Sequence, residues 1–130
     1  MEDWVFVDTC MWASYFRKSG SEVGDVIKAL LVTDRAVILG AVVAETIMGF
    51  RRKDQADWVA SRLRSAHYVE ADWDAWRAAG DIGRGLAARG HSIPLTDLVL
   101  VVVARRCGAS IYSSDPHFDL IPEVRRYRPR

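Results

Sequence analysis

The sequence predicts an α/β domain built around a mainly parallel sheet, on three observations. Short β-rich apolar runs recur along the chain: WVFV at 4–7, AVILG at 36–40, HYVE at 67–70 and ASIYSS at 109–114. Between them lie longer stretches whose apolar residues repeat at helical spacing. The two kinds alternate as strand, helices, strand, helices, strand, helix, strand, the order that crossover helices impose on a parallel sheet. The chain has 130 residues, 50% hydrophobic and 27% charged, enough for one domain with a real core and too few for a second of similar size. One domain over 1–130 is therefore expected, and no repeat, low-complexity tract or linker divides it.

Taken in order, the WVFV run is a short buried strand and CMWASYFRK after it is helical. SEVGDVIKALLV (21–32) places Val23, Val26, Ile27, Leu30 and Leu31 on one helical face, with Ser21 as the N-cap. AVILG is the second strand, stopped by Gly40. AVVAETIMGF (41–50) is apolar on nearly every side, as in a buried helix. Asp54 and Asp57 open the next helix and Arg62 and Arg64 close it, which suits the helix dipole; Ala56, Val59, Ala60 and Leu63 keep its period.

HYVE is the third strand. Asp72 then caps a long helix carrying Trp73, Trp76, Ile82 and Leu86 and ending near Gly90. Gly80, Gly83 and Gly85 within it each cost roughly 1 kcal/mol relative to Ala, so close approach to a neighbouring helix or chain is expected there. LTDLVLVVVARRCG (95–108) has valines that suit a strand, but its terminal arginines and Gly108 favour a helix. ASIYSS is the next strand, and VRRYR (124–128) is a candidate edge strand.

Formal net charge is +1, so any nucleic-acid binding must use a local patch rather than the field of the whole molecule. Cys10 and Cys107 have no metal-ligand spacing and do not suggest a disulfide framework, which points to a reducing cytoplasm. Glu2 and Asp3 do not make a basic leader, and the longest apolar run, LVLVVVA (98–104), is far below membrane-span length. A cytoplasmic protein with no membrane partner is expected.

Ligands of an open parallel sheet gather beyond the carboxyl ends of its strands. Asp8 directly follows the first strand, and Asp115 lies two residues beyond the IYS core of a later one. Glu45 lies in the first turns of the helix after AVILG, and Asp97 opens the helix at PLTD. All four acids fall where they can share one rim. Plain structural readings also exist: Asp8 as an N-cap, Asp97 favoured by a helix dipole, Asp115 before Pro116 as a turn residue. Glu45 is the hardest to explain that way, because Val42, Val43, Ala44, Ile47 and Met48 predict burial, and a buried carboxylate needs a partner.

Two such acids about 5 Å apart repel by roughly 3 kcal/mol at an effective dielectric near 20. Convergence of the four would therefore call for raised pKa values or a divalent cation. All-oxygen donors suit Mg²⁺ or Mn²⁺ rather than Zn²⁺ or copper. His67, His91 and His117 are not spaced as a metal set; His117, two residues from Asp115, either faces the site or, on the preferred reading, is a turn or surface histidine. The five tryptophans read as core or interface residues rather than base-stacking platforms.

VDTCMW, AETIMGF, IPLTDLVLVVVAR and IYSSDPHF, in this order over nearly the whole chain, resemble the motifs of PIN domains, especially the VapC-type toxins of bacterial toxin–antitoxin pairs. The resemblance implies a PIN-like fold, a twisted and mainly parallel central sheet flanked by helices, and a Mg²⁺- or Mn²⁺-dependent endoribonuclease. It assigns Asp8, Glu45, Asp97 and Asp115 to the catalytic site, with Asp8, Asp97 and Asp115 as metal ligands. Glu45 would ligate directly, act through water or orient the attacking water. Ser113 and Thr9 match accessory hydroxyl positions. Asp119 is an accessory acid or equally a surface charge. One departure is Cys10, where many relatives carry Ser; it reads as a packed small hydrophobe or, alternatively, as a change in local hydrogen bonding.

Hydrolysis by activated water would leave a 3′-hydroxyl and a 5′-phosphate, and members of this class act on tRNA or rRNA. Arg51, Arg52 and Lys53 are the best candidates for RNA contacts, ahead of Arg17–Lys18, Arg105–Arg106 and the RRYRPR tail. The family pattern implies a homodimer and a small antitoxin, for which Trp12, Tyr15 and Phe16 suggest an apolar groove. Other aspartate-dependent folds fit less well: a haloacid-dehalogenase-like phosphatase needs an acid where Cys10 stands, and a receiver domain needs a late lysine, whereas the last is Lys53. The alternative from another class is a catalytically weak PIN-like module that binds RNA or a protein partner without cleavage.

Overall fold

The structure, a computed structural model, describes residues 3–18 and 20–129. Its centre is a four-stranded sheet: β1 (Val5–Val7), β2 (Ala36–Leu39), β3 (His67–Val69) and β4 (Ser110–Tyr112). The strands lie in the order β3-β2-β1-β4 and every pairing is parallel. Phe6 pairs with Val37 on one side and Ile111 on the other. β1, β2 and β4 are buried throughout, as expected of strands covered by helices on both faces.

The helices are α1 (Thr9–Arg17), α2 (Glu22–Val32), α3 (Gly40–Met48), α4 (Lys53–Leu63), α5 (Trp73–Ala88), α6 (Leu95–Arg106) and the single turn α7 (His117–Leu120). Local signals account for several boundaries. Ser21 caps α2 by accepting from Gly24 N at 3.0 Å, and Asp72 caps α5 by accepting from Ala75 N at 2.8 Å. α6 is the ambiguous valine-rich segment. It forms a helix because every residue from Asp97 to Ala104 is buried, and a fully buried helix has no need of an amphipathic period. Trp12, Phe6 and Phe118 are the largest fully buried side chains of the core.

The chain builds β1, β2 and β3 outward in one direction, then crosses back through α5 and α6 to lay β4 against the other side of β1. The sheet order therefore reverses at the β1–β4 seam, where ligands of doubly wound sheets bind. Asp8 N donates to Tyr112 O at 3.0 Å, so the ladder runs one step past β1 and sets Asp8 at that seam.

Several expectations are corrected. VRRYR is not a strand: it makes one isolated parallel bridge, Ile111 with Arg126, because Ile111 N donates to Arg125 O and Tyr127 N to Ile111 O and no further pairing follows. Among the three glycines of α5, a Cβ would crowd only at Gly83, 2.9 Å from Leu98 Cδ1 of α6, while Gly80 and Gly85 face open space. Trp12 lines no groove, because it is completely buried against Tyr15 and Phe16, which are themselves half-buried. Trp58, Trp73 and Trp76 lie exposed, which removes the core half of their reading and leaves the interface half. α3 is not buried all round: Val42 and Thr46 face inward, while Ala44, Glu45 and Met48 form an exposed stripe, Met48 at 81%. Among the described residues, no helix is long and apolar enough to cross a membrane.

Candidate active site

All four acids reach one open cleft of about 440 Å³ at the β1–β4 seam, whose walls also include Thr9, Cys10, Met48 and Pro94. Each arrives by a different route. Asp8 ends β1 and is the N-cap of α1, so the capping role and a place in the cleft coexist. Its Oδ1 accepts from Thr9 N at 2.8 Å and its Oδ2 from Ser113 Oγ at 2.8 Å. Ser113 follows β4, and its Oγ also accepts from Asp115 N at 3.0 Å. One hydroxyl thus fixes the strand-end aspartate and the turn that carries Asp115.

Asp97 stands in the first turn of α6 and is 6% exposed; Asp8 is 4% exposed. Burial is the main cause that raises the Asp8 pKa, opposed by hydrogen bonds from Ser113, Thr9 and Cys10 and reinforced by the charge of Asp115. Burial and then the charge of Asp8 push the Asp97 carboxyl up to about 6, although the hydrogen bond with His117 works in the opposite direction. Both carboxyls are driven toward their neutral forms because low-dielectric surroundings and like charges penalise ionisation.

Glu45 is exposed, contrary to the burial that its apolar neighbours predict. The reason lies in the packing of α3, which rests on α1, α4 and β2 by one face only. Thr9 Oγ1 donates to Glu45 Oε1 at 2.9 Å and Thr96 Oγ1 donates to Oε2 at 3.1 Å. Both oxygens are therefore held by hydroxyls from two other helices. The sequence reading missed Thr96, whose signal was a hydroxyl immediately before the helix-opening Asp97.

His117 faces the site, the alternative to its preferred reading as a turn or surface histidine. Its Nδ1 lies 3.0 Å from Asp97 Oδ2 and 3.0 Å from Asp115 Oδ1, and its backbone N donates to Asp115 Oδ1 at 2.9 Å. The available signal was the D-P-H spacing, since an aspartate that accepts from the amide two residues on folds the chain back on itself. Cys10 is exposed rather than packed: its thiol donates to Asp8 Oδ2 at 3.7 Å and touches the hydroxyls of Ser113 and Ser114. Asp119 lies outside the cleft, paired with Arg126 at 2.9 Å, while Arg126 also donates to Ser113 O at 2.6 Å.

The basic run follows the Gly49–Phe50 turn, just beyond Met48. Arg52 pairs with Asp54 at 2.7 Å and Lys53 with Asp57 at 2.8 Å, all exposed. Arg51 has no ion pair among the described residues. Arg17 is turned to the end of α3, where it donates to Gly49 O and covers the Phe50 ring.

Among the described residues, no lysine or arginine pairs with Asp8, Glu45, Asp97 or Asp115. The cleft is thus a set of carboxylates, two of them buried and shifted, without a permanent counter-charge. Asp97, Asp115 and His117 offer three donor atoms within 4.8 Å of one another, with Asp8 alongside. Such a donor set fits a hard divalent cation such as Mg²⁺ or Mn²⁺.

A family model for the PIN domain matches residues 5–124. Ribonuclease VapC11 of Mycobacterium tuberculosis is 28% identical over 125 residues, 92% of each chain. The fold is similar to that of VapBC2 from Rickettsia felis bound to a DNA fragment from its promoter, with a TM-score of 0.79 and 16% identity over 95% of this chain and 96% of that one. It is also similar to VapC20 of Mycobacterium tuberculosis, a Sarcin-Ricin loop cleaving toxin, with a TM-score of 0.72 and 19% identity over 96% and 99%. The family match runs from β1 to beyond α7 and takes in every acid of the cleft, and the chain belongs to the PIN-domain family.

Proposed function

We propose that this protein is a metal-dependent endoribonuclease of the VapC type, the toxin of a toxin–antitoxin pair, that hydrolyses phosphodiester bonds of tRNA or rRNA. The observation that carries the reading is the meeting of Asp8, Glu45, Asp97 and Asp115, from four separate elements, in one cleft at the point where the sheet order reverses. The names of the similar proteins, a ribonuclease and a Sarcin-Ricin loop cleaving toxin, agree with it.

A bound Mg²⁺ or Mn²⁺ supplies charge neutralisation at the phosphoryl oxygens and lowers the pKa of water. Asp8, Asp97 and Asp115 would hold the ion, and Ser113 and Thr9 N fix the Asp8 carboxylate in the orientation that it would need. Glu45, pinned by Thr9 and Thr96 and open to solvent, orients the attacking water. Attack on phosphorus breaks the bond to the 3′ oxygen, which takes up a proton, leaving a 3′-hydroxyl and a 5′-phosphate. Arg51, Arg52 and Lys53 bind RNA backbone at the edge of the cleft. A small antitoxin neutralises the enzyme by placing a cation among the carboxylates, and two copies of the chain form a homodimer.

The test is cleavage of total RNA by purified protein with Mg²⁺ or Mn²⁺, with excess EDTA, and by Asp8→Asn. The reading expects cleavage that EDTA and the substitution both abolish. RNA that shifts on a gel yet stays whole with either ion would instead make the protein a binding module.

A further inference from the structure

His117 brings a ring nitrogen against two of the acids that line the cleft. Its Nδ1 is equidistant, at 3.0 Å, from Asp97 Oδ2 and Asp115 Oδ1. The ring is anchored from both sides. Its own amide donates to Asp115 Oδ1, and the next residue, Phe118, is 1% exposed in the core. Neither of the other histidines shares this setting: His67 stacks on Trp4 and contacts Asp34, and His91 is exposed after α5.

A protonated Nδ1 shares its hydrogen between the two carboxylates; a cation in its place would draw on the Nδ1 lone pair and on both acids at once, with the imidazole proton on Nε2. Donor separations of 3.0 Å also match adjacent corners of an octahedral ion with bonds of about 2.1 Å.

We propose that His117 is a ligand, so that the ion site consists of Asp97, Asp115 and the Nδ1 of His117 together with Asp8, and that this nitrogen makes the site favour Mn²⁺ over Mg²⁺. The proposal rests on the metal-dependent reading above. Mg²⁺ is bound by oxygen donors and resists exchange of its water for nitrogen, whereas imidazole nitrogen raises affinity for transition ions.

The experiment is pulsed electron paramagnetic resonance on the full chain loaded with one equivalent of Mn²⁺, which detects nitrogen bound to the ion. The wild type is expected to give a ¹⁴N modulation that is replaced by the ¹⁵N pattern when the protein is labelled with ¹⁵N-histidine, a control that needs no folded variant. His117→Gln should lose the modulation and bind Mn²⁺ more weakly by more than the roughly 10–100-fold typical of an outer-shell partner, with a smaller loss for Mg²⁺ measured by competition. Bound Mn²⁺ without nitrogen modulation in the wild type overturns the assignment of His117 and leaves the metal-dependent reading intact. Equal losses for the two ions in His117→Gln overturn the claimed preference. Failure of the wild type to bind Mn²⁺ at all would sink both.

Discussion

Helices α3 and α6 each carry one acid in an otherwise apolar segment, and the two acids are held in opposite ways. In α6, side chains from Asp97 to Ala104 are buried, and the Asp97 carboxyl meets His117 and is pushed up to about 6. In α3 only Val42 and Thr46 are buried, and Glu45 stands in solvent with an oxygen on each of two threonine hydroxyls. A buried acid without a permanent counter-charge is electrostatically unsatisfied and attracts a cation. An exposed acid whose geometry is fixed by neutral donors is available to a mobile partner such as water. The cleft thus contains two kinds of carboxylate, and the fold decides which is which by how many sides of each helix it covers.

The largest effect that separates them is expected from single amide substitutions. Asp97→Asn should abolish RNA cleavage and weaken Mn²⁺ binding by more than the roughly 10–100-fold typical of a residue that only orients a ligand. Glu45→Gln should also cut turnover, yet leave Mn²⁺ affinity within a fewfold of the wild type. Isothermal titration beside single-turnover kinetics reads both quantities. Equal loss of Mn²⁺ affinity in the two variants would erase the distinction between an ion-holding and a water-orienting acid.

A smaller effect should come from the hydroxyls that hold Glu45. Thr96→Val keeps the shape of the side chain but removes the donor to Oε2, and about a tenfold fall in kcat is expected with little change in KM, as for an outer-shell partner. Thr96→Ser should restore most of the rate. If Thr96→Val is fully active, Glu45 does not need that support.

The fold was legible where its signals are local. Ser21 before an apolar period, Asp72 before another and the arginines at the end of α6 each mark a helix end by chemistry confined to a few residues. The acids at Asp8, Asp97 and Asp115 were legible for a related reason: strand–helix alternation alone places strand ends and helix starts on one edge. What depends on which face of an element meets another was not legible. The exposure of Glu45 follows from α3 resting on α1 and α4 by one side only. The place of His117 follows from its amide bonding to Asp115 and from the depth of Phe118. Cys10 points into the cleft because the first turn of α1 begins at Asp8. A list of residues in order contains none of these three relations.

Acid titration tests the buried half of the comparison. The folded-state pKa of Asp97, about 6, lies above its ordinary value of 3.8. The folded protein thus binds that proton more tightly than the unfolded chain, and the associated stability is complete below about pH 4 and lost as pH rises through about 6. Asp8 shifts in the same direction. Metal-free protein should therefore melt a few degrees lower at about pH 7.5 than at about pH 5. Mg²⁺ should raise Tm more at the higher pH, where the carboxylates are ionised and free to bind it. Asp97→Asn should flatten the profile, and a steep profile surviving in that variant would assign the effect elsewhere.

The smallest expected effect concerns how α6 comes to be covered. Burial of α6 relies on α5, its most extensive helix neighbour, and the close approach is made at Gly83, where an added Cβ would come within 2.9 Å of Leu98 Cδ1. Leu98 is itself buried, so it has little room to give way, and overpacking of this kind costs about 1–3 kcal/mol. Gly80 and Gly85 lie on the same helix with open space at the Cβ position, so alanine there gains about 1 kcal/mol from helix propensity alone. Denaturant unfolding should rank Gly80→Ala and Gly85→Ala above the wild type and Gly83→Ala below both by about 1 kcal/mol or more. If Gly83→Ala is as stable as the other two, the α5–α6 contact is loose enough to adjust. Burial of α6 would then not depend on a tight fit at Gly83.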